Sequence, residues 1–339
     1  MFILNKKTIG LLVLLIMGAL LPLFVTSPYY LDLIIIWMLN SILAMTFLLM
    51  LRTGLISMAI VAFYGIGAYA STMLVTKFGL SFWLSLPVSA LIAIMIALIF
   101  SLPLIKYTGF TFVILTTVIG MLFGITVGNI KWLGGYSGIS SIPPPNPVKI
   151  LFLPPLEFVS KVHFYYLAFF LSVISILVMC AFYAAWTGRA WTAIGLNQRL
   201  AESLGINVFR FKLAGFLVAS GIAGLLGSFY AHYQSFIQPE SFGIFSTIYL
   251  QIYAILGGIG YPITGPIFGT AVMTFIPEVL RIAREAGTIF LGALVILLIL
   301  FLPKGLLSLV EKPIVIRVST SIGKSIGSKL SIRNKTGKA

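Results

Sequence analysis

Residues that could carry acid–base or metal chemistry are scarce in this chain. Its 339 residues include seven acidic side chains, two histidines and one cysteine. These residues are Asp32, Glu157, Glu202, Glu240, Glu278, Glu285, Glu311, His163, His232 and Cys180. The sequence has no His-Glu-x-x-His pattern, paired carboxylates or activated serine, and no glycine-rich phosphate loop that ends in Lys-Ser or Lys-Thr. We therefore expect neither an enzyme nor a cofactor in this chain, and any ATP hydrolysis would belong to a partner.

One carboxylate could carry a proton across a membrane. Glu278 follows Pro277 near the end of an apolar run. An ion-coupled carrier places such a group close to the middle of the bilayer. The simpler interpretation is a residue at the outer end of a span that reaches the interface beside Arg281.

The composition predicts the solvent in which these residues lie. Hydrophobic residues make up 60% of the chain and charged residues 9%, and the mean hydropathy is +1.13. These values are typical of an all-α polytopic membrane protein. The formal net charge of +15 then indicates membrane orientation rather than nucleic-acid binding.

Apolar runs predict about ten transmembrane helices, or eight to nine if the short last runs do not span. The predicted spans are Ile9–Val25, Leu31–Leu51, Leu55–Thr76, Phe82–Ile105, Phe110–Asn129, Phe164–Trp186, Leu213–Tyr233, Ile244–Gly257, Gly265–Leu280 and Ile289–Leu302. With both termini cytoplasmic, most of the 22 Lys and Arg residues lie inside. We expect a multi-pass permease domain over residues 1–310 in the cell membrane and a basic cytoplasmic tail over residues 311–339.

The segment Gly188–Lys212 is the one long internal stretch that a bilayer would reject. Each of its cations, Arg189, Arg199, Arg210 and Lys212, would cost roughly 2.5–3.5 kcal/mol at the bilayer centre. We therefore predict a cytoplasmic segment between two spans.

A short helix is predicted inside that segment. Asn197 is a favourable N-cap and Gly205 a favourable residue after the last turn, so the pattern predicts a helix over Gln198–Leu204. Leu200, Ala201 and Leu204 fall on one face and Glu202 on another. A short helix with one apolar face is typical of a docking element.

The same segment resembles the coupling loop of the LivM-type permease family, the membrane subunits of ABC importers for branched-chain amino acids and related solutes. The matching residues are Gly188-Arg189-Ala190, Ala193-Ile194, Asn197, Ala201-Glu202, Leu204-Gly205-Ile206-Asn207-Val208, Lys212-Leu213 and Phe216. The chain has Gly195-Leu196 where the family usually has Arg-Glu, and Gln198 where it often has Glu. The resemblance implies that Arg189, Asn197, Leu200, Ala201, Glu202, Leu204, Gly205 and Lys212 contact the ATPase subunits.

Other stretches resemble the family's translocation elements in the expected order. The residues that this resemblance places along the pathway are Ser57, Phe63, Gly65, Gly67, Tyr69, Thr116, Gly134, Gly135, Gly138, Gly257, Gly258 and Gly260. Met58-Ala59-Ile60 stands where the family usually has Leu-Gly-His. Plain helix packing, a turn-rich outer loop and a tight inner turn remain the alternative interpretations of these glycine-rich stretches.

Two glycine stripes predict close helix contacts. Gly120, Gly124 and Gly128 are spaced four residues apart in the fifth predicted span. Gly221, Gly224 and Gly227 lie in the seventh. Small residues at such spacings let helix backbones approach closely.

The function implied by the resemblance is that of an importer permease. It implies ATPase subunits, a second homologous permease, an extracytoplasmic solute-binding protein and the lipid bilayer as partners, without nucleic acid. Relatives carry branched-chain amino acids, other amino acids, urea or short amides, so the solute stays open. An ion-coupled amino acid carrier is the alternative, but it would not need Gly188–Lys212, and a scaffolding subunit would lack a docking helix.

Overall fold

The computed structural model describes residues 18–25, 27–147, 158 and 160–280, and positions 292, 296, 300, 301, 305 and 306. Within this part the chain is all-α apart from one pair of two-residue strands, which confirms the predicted fold class. The helices are α1 (Pro28–Arg52), α2 (Ile60–Thr76), α3 (Phe82–Leu104), α4 (Phe110–Asn129), α5 (Lys161–Ala184), α6 (Trp186–Leu196), α7 (Gln198–Ser203), α8 (Val208–Gln234), α9 (Ile244–Gly257) and α10 (Thr264–Leu280). Strand β1 (Ile139–Ser140) pairs with β2 (Phe236–Ile237) in antiparallel register.

Five described helices, α1, α3, α4, α5 and α8, are long and apolar enough to cross a membrane. Two predicted spans, Phe110–Asn129 and Ile244–Gly257, match the observed helices residue for residue. The predicted first and last spans lie mostly outside the described residues, and the basic tail lies wholly outside them. The described parts of these two spans, residues 18–24 and positions 292, 296, 300 and 301, are helical. A count of ten spans and cytoplasmic termini therefore stay predictions.

Only the part from Ile60 to Thr76 of the predicted third span, Leu55–Thr76, is helical. Helix α1 ends at Arg52 and α2 begins only at Ile60, so residues 53–59 are not helical. The 17 residues of α2 rise about 25 Å, which is less than the ~30 Å hydrocarbon core. A crossing by this segment would therefore need residues 53–59 as well as α2.

The centre of the bundle is the packing of α8 against α2 and α3. A Cβ atom built on Gly67 would overlap the backbone of Gly224, and one built on Gly227 would overlap the carbonyl of Tyr64. A Cβ on Gly221 would likewise meet the side chain of Ile94 on α3. The structure therefore confirms the close contacts predicted for the glycines of α8.

The stripe on α4 does not behave as predicted within the described chain. A Cβ atom at Gly124 would meet no described atom within 4 Å, and one at Gly120 would meet only the Met58 carbonyl, at 3.7 Å. Gly128 contacts the ring of Tyr136 in the following loop instead of another helix. The predicted close contact between helices is absent at α4 within the described residues, because Gly120 and Gly124 border open space and Gly128 borders the ring of a loop residue.

Successive helices run in alternating directions, so their termini meet at two opposite ends of the bundle. At one end, the Arg52 guanidinium lies 5.1 Å from the centre of the Tyr183 ring, and Gly195 of α6 lies against the Arg52 carbonyl. At the other end, Lys161 forms a 2.9 Å ion pair with Asp32, and the Tyr233 hydroxyl donates a hydrogen bond to the same carboxylate. We name these the coupling end and the outer end after the orientation and the coupling loop predicted from the sequence.

A buried histidine holds the outer loop against the bundle. The Nδ1 atom of His232 lies 2.7 Å from the Pro143 carbonyl, which can only accept, so Nδ1 carries the proton. In the neutral ring Nε2 then accepts from the Ser71 hydroxyl at 3.0 Å. Ser71 in turn accepts from Ser228 at 2.7 Å, so the loop, α2 and α8 share one network.

Candidate functional site

The coupling end is built from two helices rather than one. Helix α5 ends at Ala184, Ala185 is extended, and α6 then begins at Trp186. The fully buried Trp191 ring stacks on Phe182 at 5.8 Å and donates a 2.8 Å hydrogen bond to the Phe211 carbonyl. Helix α6 was not predicted as a separate element. The signal in the sequence is the pair Trp186 and Trp191 on either side of Arg189.

The short helix α7 has the predicted caps. The Asn197 side-chain oxygen accepts a hydrogen bond of 3.1 Å from the Leu200 amide. Gly205 has φ of +82°, a left-handed conformation that favours glycine after a helix. The helix ends at Ser203, with Leu204 as its C-cap, one residue earlier than predicted.

The apolar residues of α7 do not share one face, and this corrects the prediction for Ala201. Ala201 is 1% exposed and packs in a small core with Ile194 and Val208. Leu200 and Leu204 are 59% and 72% exposed and point away from the bundle. Ala201 therefore holds α7 to the protein, while the leucines stay available.

A third exposed leucine was missed. Leu196, at the end of α6, is 83% exposed. Together, Leu196, Leu200 and Leu204 form what we call the leucine patch. Three exposed cations, Arg189, Arg199 and Arg210, lie on the same segment. Exposed large apolar residues bordered by charges are typical of a protein–protein contact.

Lys212 differs from the other cations of the segment. It was expected in water, but it is 1% exposed at the start of α8. Its ammonium donates a 2.8 Å hydrogen bond to the Gln198 side-chain oxygen, and the Gln198 amide donates 2.9 Å to Glu202, which is exposed. Lys212 escaped prediction as a buried residue because its partner stands fourteen positions away.

The break between α1 and α2 forms the second candidate site. The Ser57 hydroxyl accepts a hydrogen bond from the Ala59 amide at 3.2 Å, and the Thr116 hydroxyl accepts from the Met58 amide at 3.1 Å. The Gln251 side-chain amide donates to the Ser57 carbonyl at 3.4 Å. Three elements thus satisfy the freed backbone groups, as an interrupted helix within a membrane requires.

The structure brings the predicted Ser57 and Thr116 together and adds Gln251, which the sequence analysis did not single out. Its signal is the one amide within the apolar run of α9. Phe63 instead packs against Phe216 in the core, with ring centres 5.5 Å apart, and Gly67 lies against Gly224. Helix packing accounts for these two residues.

Gly65 and Tyr69 lie closer to the outer end, beside a cluster of rings. Tyr64, Tyr69, Phe123, Tyr230 and Phe242 form this outer aromatic cluster, with ring centres 5.3–6.2 Å apart along their contacts. A Cβ at Gly65 would overlap the rings of Phe123 and Phe242. Gly65 therefore makes room for the cluster.

The predicted outer-loop glycines shape a turn, and their place along a solute path stays a prediction. Gly134, Gly135 and Gly138 all have positive φ, and the loop forms two short 3₁₀ turns over residues 131–137. Gly138 lies against the Ile237 carbonyl, directly before β1 pairs with β2. The loop is thus bonded to the segment that carries Phe242.

Gly257, Gly258 and Gly260 lie at the coupling end. Gly257 packs against the Gly265 backbone, Gly258 adjoins Gly305, and a Cβ on Gly260 would meet nothing described within 4 Å. These contacts fit the tight inner turn between α9 and α10.

These observations define a polytopic helical membrane protein with exposed leucines and arginines at one end and a helix break inside. The family model described as "Branched-chain amino acid transport system / permease component" matches residues 29–300, so the chain belongs to that family and is a transport subunit. The chain is similar to the high-affinity branched-chain amino acid transport system permease protein LivM of Escherichia coli (strain K12), with 27% identity over 292 residues. It is 28% identical over 290 residues to the LivM protein of Salmonella typhimurium. Each match covers 80% of this chain and 68% of the relative. No solved structure matches the chain.

Proposed function

We propose that this chain is the membrane-spanning permease subunit of an ATP-driven importer in the cell membrane. Its solute is a branched-chain amino acid or a related small polar molecule, in keeping with the names of its relatives. Two ATPase subunits, a second homologous permease and an outer solute-binding protein complete the importer. Both chain termini lie in the cytoplasm, and about ten spans cross the membrane.

The observation that carries this proposal is the leucine patch. Leu196, Leu200 and Leu204 are all more than half exposed on the arginine-rich segment between α5 and α8. Because arginine is costly inside a bilayer, we expect water rather than lipid around them. Ala201 and the bond between Lys212 and Gln198 attach the same helix to the rest of the protein. A helix that is exposed on one side and bonded to the rest of the protein on the other can transmit the movement of a bound partner.

Transport follows by alternating access in this proposal. ATP-driven closure of the ATPases moves α7 as a rigid unit, and the motion passes to α8 through Lys212 and to α5 through α6. Because α8 packs directly on α2, the helix that begins at the break, its tilt changes the surroundings of Ser57 and Gln251. The solute path alternately opens to the two sides.

The test is purification of the tagged full chain from its native membrane, followed by mass spectrometry of the bound proteins. We expect a chain with an ATP-binding phosphate loop and a second permease to remain bound. The matched control is the Leu204→Glu variant, which should retain the permease partner and lose the ATPase. Recovery of the chain alone, or only with copies of itself, would contradict the proposal and favour an ion-coupled carrier.

A further inference from the structure

A column of contacting residues from α2, α4 and α9 runs between the helix break and the outer end. On α4, Thr116, Gly120 and Phe123 follow each other at helical spacing, and they contact Met58 at the inner end and Gly65 farther out. On α9, Gln251 reaches the break, and Thr247, one turn farther out, is buried on the same face. The seven residue-to-residue steps from Ile244 to Gln251 rise about 10 Å. The outer aromatic cluster therefore lies roughly this distance above the polar break.

Phe242 occupies the outer end of this column in an unusual way. It belongs to a four-residue 3₁₀ turn, Pro239–Phe242, in which Glu240 and Ser241 are exposed. Phe242 itself is 2% exposed, because its ring is inserted among Tyr64, Tyr69, Phe123 and Tyr230 of three helices. A single side chain from a surface turn thus fills the space between the spans.

The residues around Phe242 accommodate its ring and would also tolerate its displacement. Gly65 leaves a gap in α2 that the Phe242 and Phe123 rings fill. The Tyr69 hydroxyl is buried and has no hydrogen-bond partner among the described residues. A buried hydroxyl without a partner is unfavourable, and a polar solute in place of the Phe242 ring would supply one.

The turn that carries Phe242 is attached to the outer glycine loop. Strand β2 ends two residues before the turn and pairs with β1, and the Ile142 amide donates a 3.1 Å hydrogen bond to the Ser235 carbonyl. Gly138, with φ of +77°, packs tightly on Ile237. A displacement of this loop therefore reaches Phe242 through backbone hydrogen bonds.

We propose that Phe242 is the outer gate of the translocation path and that loop 131–140 positions it. This inference rests on the proposed transport function. In the closed state the Phe242 ring seals the column above Thr247 and Gln251. A partner that binds the outer loop withdraws the ring and admits the solute, whose polar groups meet Tyr69 and then the break.

The test measures access to the column from outside and needs no ATP. Thr247→Cys in a Cys180→Ala background places the introduced cysteine between Phe242 and Gln251. A membrane-impermeant maleimide is added to the outer side of native membranes that contain the full complex. We expect slow labelling with Phe242 present, severalfold faster labelling after Phe242→Ala, and an intermediate rate after Phe242→Leu.

Two matched controls separate gating from general loosening. Phe229→Ala removes an equally buried ring that packs on Phe164 and Tyr233, away from the column, and should leave labelling slow. Gly138→Val should accelerate labelling by displacing β2, whereas Gly79→Val places the same strain in an open loop, with φ of +65°, and should not.

Equal labelling rates with and without the Phe242 ring would overturn the gate, and Phe242→Leu carries the test if the alanine variant does not fold. A failure of the gate hypothesis is distinguishable from a failure of the proposed function. The labelling rate tests only the gate, because it is measured whether or not an ATPase is bound.

Discussion

The Lys212 ammonium donates a 2.8 Å hydrogen bond to the side-chain oxygen of Gln198 and so joins the start of α8 to the first residue of α7. Lys212 is nearly inaccessible to solvent, and a buried cation must be paired or solvated by dipoles. Gln198 supplies that dipole and passes the interaction to Glu202. The docking helix and the long central helix are therefore linked by a bond that the protein cannot break without cost.

Replacement of Gln198 by Leu should weaken this link. A hydrogen bond to a charged group contributes about 1.5–3 kcal/mol, so we expect a lower thermal midpoint for the purified complex and a loss of uptake in proteoliposomes. Gln198→Glu is the control that keeps the bond to Lys212, since its carboxylate still accepts from the ammonium, although it loses the hydrogen bond to the exposed Glu202. It should stay closer to the wild type than Gln198→Leu in both measurements. Wild-type uptake and stability in Gln198→Leu would exclude a role for the bond.

Replacement of Leu204 by Glu should separate the permease from its ATPases. Leu204 is 72% exposed, so the change leaves the fold of the chain intact and alters only the outward surface. A charge in an apolar contact costs a few kcal/mol through desolvation, which reduces affinity at least tenfold. Leu204→Met keeps the apolar volume and serves as the control. The measurement is ATPase retained per permease after affinity purification, and equal retention in both variants would contradict the docking role.

The two glycine stripes should respond in opposite ways to a larger side chain. Gly224→Leu forces α8 away from Ala93 and α3, and overpacking of this kind typically costs 1–3 kcal/mol, of which we expect about the upper end. Gly124→Leu fills open space on α4 and should leave the thermal midpoint of the isolated chain unchanged. The measurement is the thermal midpoint of each purified chain in detergent. A destabilised Gly124→Leu chain would show that α4 packs more closely than its contacts indicate.

Local features of the site could be predicted from sequence, because they depend on neighbouring residues. Asn197 and Gly205 frame α7 through their own backbone preferences, and the apolar run of α4 gave the helix its bounds. The orientation of α7 could not be predicted in this way. Ala201 and Leu204 are both apolar, and only packing against Ile194 and Val208 decides that the smaller one turns inward.

Contacts between distant segments account for the other differences. Nothing near Phe242 in the sequence distinguishes it from the other phenylalanines of an aromatic chain, since its partners lie on α2, α4 and α8. The helix break before α2 could not be predicted for a similar reason. Residues 55–59 include Leu55, Ile56 and Met58, which continue the apolar run, while the groups that satisfy the exposed backbone come from Thr116 and Gln251.

Replacement of Thr116 by Val should destabilise the break, and the adjacent Thr117 offers a matched control. The Thr116 hydroxyl accepts from the Met58 amide, whereas the Thr117 hydroxyl bonds only to the Val113 carbonyl of its own helix. Thr116→Val leaves a buried amide without an acceptor, which costs about 1–3 kcal/mol. Thr117→Val should be close to neutral, because it removes a donor and leaves a carbonyl that already belongs to the helix. Thermal midpoints of the purified complex measure the difference. Uptake should fall in the first variant alone, since the proposed solute path crosses the break at Met58. Equal midpoints and equal uptake for the two variants would show that the Met58 amide finds another acceptor and that Thr116 does not support the break.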